Sequence, residues 1–139
     1  SWGDNKLRKN NVVWDDAFNI NYSSLIKKRE LPNRLNYLSC DIEPAENTFN
    51  ILKKVISSEL NFDFISFEHD KYSIGSKYED LSIEYLKNYN YKVAVKDVYS
   101  RNKRYKIYET WFVNNDIDFE EMDYSVWKKE YFKSSKFNL

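Results

Sequence analysis

The sequence predicts an α/β fold in which a mostly parallel sheet ends in an antiparallel hairpin. Three observations predict it. Short β-branched and aromatic runs alternate with stretches whose apolar residues recur at helical spacing, the pattern of strand–helix–strand units with right-handed crossovers. The last two strand-like runs, Tyr91–Val98 and Tyr105–Val113, are separated only by a polar loop too short for a helix, so they should pair as a hairpin. The 139 residues, 42% hydrophobic and 18% aromatic, suffice for one core but not two, so residues 1–139 read as a single domain.

In chain order, Ser1 to Asn11 is polar and reads as irregular, and Val12-Val13-Trp14 could form a short strand. Asn21 is placed to cap a helix over Tyr22–Glu30 with Leu25 and Ile26 on its buried side, ended by Pro32-Asn33. Tyr37–Ile42 reads as a short buried strand. Pro44 suits the first helical position, where a missing N–H costs nothing. Ala45, Phe49, Leu52, Ile56 and Leu60 then follow at helical spacing.

Phe62–Phe67 is a second β-rich run. Ser76 and Glu79 have the spacing of a capping box, opening a helix with Tyr78, Leu81, Tyr85, Leu86 and Tyr89 as its apolar residues. Asp116–Asp123 is acidic, and Asp123 could cap a last helix over Tyr124–Phe132. Tyr37–Asp41 and Phe64–Phe67 should be parallel neighbours.

Composition narrows the functional classes. With 22 basic and 22 acidic residues the net charge is zero, which argues against nucleic acid or an anionic membrane as a partner. The single cysteine, Cys40, rules out an intrachain disulfide framework. No apolar run approaches the roughly 18 residues of a membrane span. The first residues resemble neither a signal nor a transit peptide, so a cytoplasmic location is expected; without an initiator Met, the chain reads as a fragment of a longer one. Glycine is scarce, only Gly3 and Gly75, and the two cannot together form the close-approach turn that a dinucleotide or S-adenosylmethionine fold needs after its first strand.

Local sequence adds a family resemblance. Tyr37-Leu38-Ser39-Cys40-Asp41-Ile42-Glu43-Pro44 resembles the strand of FkbM-type S-adenosylmethionine-dependent methyltransferases that reads roughly "YLSxDxE". Ile65-Ser66-Phe67-Glu68-His69-Asp70 resembles the next strand, which in one branch ends in "EHD". Asn90-Tyr91 stands where the family usually has "GY", and Asn also accepts positive φ. Glu109-Thr110-Trp111-Phe112-Val113 resembles the last strand, often "EDWWV". The resemblance spans about Trp14 to Asn115. It implies the carboxy-terminal half of a Rossmann-like class I methyltransferase fold, which also finishes in a hairpin. The parent would use S-adenosylmethionine to methylate an oxygen. This chain, lacking the upstream strand, glycine-rich turn and acidic ribose-binding residue, is expected to bind no cofactor alone.

Ligands of open α/β sheets bind beyond the carboxyl ends of the strands. Asp41 and Glu43 lie at one such end; Glu68, His69 and Asp70 lie at the next. These five are the candidate catalytic residues, expected to meet in one crevice because neighbouring strands are about 4.8 Å apart. His69 is the candidate base for removing a hydroxyl proton, with Asp41 or Asp70 orienting it. The same carboxylates could instead cap helices or hold a hard divalent cation. Trp111 and Phe112 read as core, Arg101–Lys106 as a solvated hairpin tip, and Cys40 as an inert buried thiol.

Two functional classes stay open: an enzyme fragment, or a non-catalytic module acting through self-association. In the complete fold the Tyr37–Asp41 strand is internal. Here it becomes an edge, which the chain should cover with Ser1–Trp14 or use to form a homodimer.

Overall fold

A computed structural model describes residues 16–100, 106–126 and 128. The readings of Ser1–Asn11, of Val12–Trp14, of all but Lys106 of the hairpin tip Arg101–Lys106, and of most of the helix over Tyr124–Phe132 lie outside them. Helix α1 (Tyr22–Arg29) is followed by β1 (Arg34–Cys40), α2 (Ala45–Ile56), β2 (Asn61–Glu68), a single turn α3 (Lys71–Ile74), α4 (Lys77–Lys87), β3 (Tyr91–Ser100), β4 (Lys106–Asn114) and β5 (Met122–Asp123). The fold is α/β, with one five-stranded mixed sheet in the order β1-β2-β4-β3-β5.

β1 and β2 are parallel neighbours, with Tyr37 opposite Phe64 and Cys40 opposite Phe67. β3 and β4 pair antiparallel as a hairpin. The expectation of a mostly parallel sheet holds for strand direction but not for pairing. β4 inserts between β2 and β3 and runs antiparallel to both. Only β1–β2 and β3–β5 are parallel pairs.

Local signals account for several elements. Asn21 Oδ1 accepts the Ser24 N–H at 2.9 Å, satisfying an orphan donor of α1. Pro44 stands at the N-cap of α2 rather than inside it. Asn90 has φ 68, the left-handed conformation that its place between α4 and β3 demands.

Other local expectations give way to tertiary structure. Leu25 is 37% exposed, because α1 packs through Tyr22 and Ile26 instead. Tyr37 is 59% exposed, since β1 is an edge strand and the face it shares with Phe64 carries no helix. The capping box does not form: Ser76 Oγ bonds Asp80 at 2.8 Å, and Glu79 turns into the core.

The main core lies between the sheet and α2 and α4. It is built from Cys40, Leu52, Ile56, Phe62, Ile65, Phe67, Leu86, Tyr91 and Phe112. A second, smaller cluster occupies the opposite face, where Ile117, Phe119, Met122 and Tyr124 fold back over Val95, Val98 and Val113. That cover does not extend across the β1–β2 side, which is left as a cleft.

Candidate functional site

The carboxyl ends of β1 and β2 and the amino-terminal part of β4 form one rim. Past Glu68 the chain hooks over β4: the N–H groups of His69 and Asp70 both donate to the Tyr108 carbonyl, at 2.8 and 3.2 Å. Asp70, at φ 51, turns the chain into α3.

This hook aims His69 at the helix-covered face, where its side chain is fully buried. Nδ1 accepts the Lys71 N–H at 3.2 Å, so the other ring nitrogen, Nε2, carries the proton and donates to Thr110 Oγ1 at 3.1 Å. Thr110 in turn donates to Glu79 Oε1 at 3.2 Å. Glu79 is buried and ion-paired with Lys71 Nζ at 2.7 Å, and Lys71 reaches Asp97 at 3.3 Å. Asp97 has φ 55 where the β3–β4 register shifts, a bulge that turns its carboxylate toward Lys71. The whole constellation is satisfied internally.

The expected crevice of five residues therefore divides. His69 does not join the carboxylates; with both ring nitrogens engaged and no exposed surface, it is a structural residue rather than the accessible base expected from sequence. Asp41 and Glu68 stay on the rim. Both act electrostatically on Tyr108, whose phenol is pushed up by burial first, then by Glu109, Tyr124, Glu68 and Asp41. Asp70 caps α3 without a side-chain bond, and its charge acts on His69 only weakly. Glu43 is exposed; its carbonyl accepts from Asn47, and no described contact ties its carboxylate to the others.

Glu109 was not among the residues singled out from sequence. It stands directly opposite Glu68 in the β2–β4 ladder. Burial raises its carboxyl pKa, as does the charge of Asp41, while hydrogen bonds from Trp111 and Ser66 oppose the rise. From sequence both Trp111 and Phe112 read as core; in the fold Phe112 is buried, whereas Trp111 lines the open cleft with Glu109, because alternation along β4 sends the two rings to opposite faces. Glu79 and Lys71 were missed because one matched a cap pattern and the other lay between the elements read from sequence, Phe62–Phe67 and the helix opening at Ser76. Among the described residues no group of three or more His, Cys, Asp or Glu is placed to hold a metal ion. No described helix is long and apolar enough to cross a membrane. Cys40 is buried and unpaired, and burial pushes its thiol up to about 12, the behaviour of an inert thiol.

Comparison with protein families, characterised proteins and solved structures finds no match.

The buried histidine has a measurable consequence. Burial lowers its pKa below the ordinary 6.5, outweighing the Glu79 carboxylate, which raises it. The unfolded chain therefore takes up a proton that the folded chain refuses. The stability this contributes is fully present above pH 6.5 and is lost as pH falls through the lowered folded value. Between those limits the slope should approach about 1.4 kcal/mol per pH unit. Glu109, with its raised pKa, contributes an opposite slope, so the difference between the wild type and His69→Gln isolates the histidine. Urea titrations from pH 7 to 5 should show a shallower loss in the variant; parallel curves would refute the assignment.

Proposed function

We propose that this chain supplies the carboxy-terminal half of an FkbM-type S-adenosylmethionine-dependent methyltransferase, its acidic rim forming the acceptor side of the parent's site. The observation that carries the reading is topological. A parallel pair, β1 and β2, each leading toward a helix, is followed by the antiparallel hairpin β3–β4. The segments that carry the resemblance lie in chain order along these elements. Asp41 and Glu43 follow β1, Glu68 ends β2, and Glu109 to Val113 lie within β4.

The cofactor itself does not fit the described residues. The only described glycine, Gly75, ends α3 at φ 79 and does not form a strand-to-helix turn, so the described residues offer no backbone cradle for the nucleotide. What this chain can contribute is proton removal from an acceptor hydroxyl. Asp41 is the exposed carboxylate on the rim suited to it, with Glu109 beside it.

Titration calorimetry of this chain with S-adenosylmethionine should give no binding heat. Sequencing the gene upstream of the Ser1 codon should reveal a strand followed by a glycine-rich turn. The longer product should bind the cofactor and lose transfer activity in Asp41→Asn. A micromolar dissociation constant for this chain alone, or an upstream region without that turn, would defeat the reading.

One observation favours a second reading, self-association. Among the described residues β1 has no strand on its outer side, and Tyr37 on it is 59% exposed. Exposed edges of this kind recruit strands of a second copy. Light scattering would then give a dimer mass that Tyr37→Lys returns to the monomer; a monomer at all concentrations would discard it.

A further inference from the structure

The sheet face opposite α2 and α4 carries a cleft of about 580 Å³ between the β1 edge and the covering segment at Phe119. That volume is within the usual range for small-molecule sites. Its walls include four aromatic rings, Tyr37, Phe64, Trp111 and Phe119. Phe64 and Phe119 meet edge to face with centroids 6.4 Å apart, holding one wall in place. Among the described residues of this largely apolar lining there is a single carboxyl group, that of Glu109.

The polar groups of the cleft are arranged around that carboxyl. Trp111 and Ser66 hydrogen-bond to Glu109. The Ser66 and Tyr37 hydroxyls are 2.6 Å apart, which links the edge strand to the same group. A carboxylate has about four acceptor positions, and these two donors leave about half of them open. No described cationic side chain pairs with Glu109, and the other charge acting on it, that of Asp41, is repulsive. The cleft thus combines π faces with a half-buried carboxyl group that pairs with no described cationic side chain.

We propose that this cleft binds an organic monocation, an ammonium group on an aromatic or branched aliphatic body, with the ammonium against Glu109. The rings supply quadrupole attraction to the cation and area for the body. Neutralising Glu109 relieves the burial that raises its pKa. An anion meets Glu109 and Asp41 with like charge. A second copy seated two-fold on the cleft would bring its own acidic rim to this one. This inference does not depend on the methyltransferase reading; it concerns the open face, whichever reaction the parent performs.

The test is calorimetric titration of the full chain with three probes of one shape: phenethylammonium, 2-phenylethanol and phenylacetate. The ammonium should bind about tenfold tighter than the alcohol, and phenylacetate should give no heat. Glu109→Gln should bring the ammonium down to the alcohol's affinity. Tyr37→Leu, at an exposed edge position where unfolding is not expected, should weaken the ammonium more than the alcohol; circular dichroism verifies both folds. Equal affinity for ammonium and alcohol, unchanged ammonium binding in Glu109→Gln, or no ammonium binding at about 10 mM, equivalent to less than about 3 kcal/mol, overturns the proposal. So does a dimer, seen by light scattering, that keeps the ammonium out.

Discussion

Phe112→Ala should lower the unfolding free energy by about 3–5 kcal/mol, while Trp111→Ala, one position away on β4, should cost clearly less. Phe112 is 1% exposed. It lies in β4 opposite Ile65 of β2 and Val93 of β3, in the same cluster as Leu52 of α2 and Leu86 of α4. Removing its ring leaves a cavity that strands on both sides and helices above cannot close, so the lost transfer energy and the cavity term add. Trp111 faces the other way. Its ring contacts Tyr124 edge to face at 5.8 Å and lines the open cleft, where water can replace it. Single domains of this size have about 5–15 kcal/mol in total, so the Phe112 variant should lose a large share of it. Urea denaturation at constant m-value measures both. Equal losses would mean that the second face is packed as closely as the helix-covered one.

Lys71→Met should cost about 2–3 kcal/mol, and Glu79→Gln added to it should restore most of that loss. The cost does not come from Lys71 itself, which is 32% exposed, but from the Glu79 carboxylate it leaves behind, 5% exposed. Thr110 alone cannot neutralise that charge. Full removal of a partner from an enclosed pair costs about 3–5 kcal/mol, and the lower figure here allows for water entering where the ammonium was. A glutamine in place of Glu79 keeps an acceptor for the Thr110 hydroxyl and thus for the chain leading to His69 Nε2. Lys71 also feels the pairing: its pKa is raised, chiefly by the bond to Glu79. If the double variant is no more stable than Lys71→Met, the buried charge is not the source of the loss.

The sequence by itself determined what short-range chemistry controls. The Asn21 cap, the helical stripe from Ala45 to Ile56, the strand at Phe62–Phe67 and the hairpin followed from spacing and residue type, because each rests on neighbours within a few positions. The left-handed Asn90 was suggested instead by the resemblance, which puts Asn90 where the family usually has glycine. Along β4, alternation puts Glu109 and Trp111 on one side and Thr110 and Phe112 on the other, although Trp111 and Phe112 had both read as core.

Tertiary structure alone decided which of those faces would be covered. The insertion of β4 between β2 and β3 makes Thr110 a neighbour of Phe67, and so brings it to His69 and Glu79, 41 and 31 residues away. That contact diverts Glu79 from the cap its spacing suggests and removes His69 from the rim. β5 was invisible in an acidic stretch, since two residues carry no periodicity and exist as a strand only through Val95 and Lys96. Periodicity says which side chains share a side of a strand. Only the packing of distant segments says whether that side meets a helix, as at Thr110, or stands open, as at Glu109.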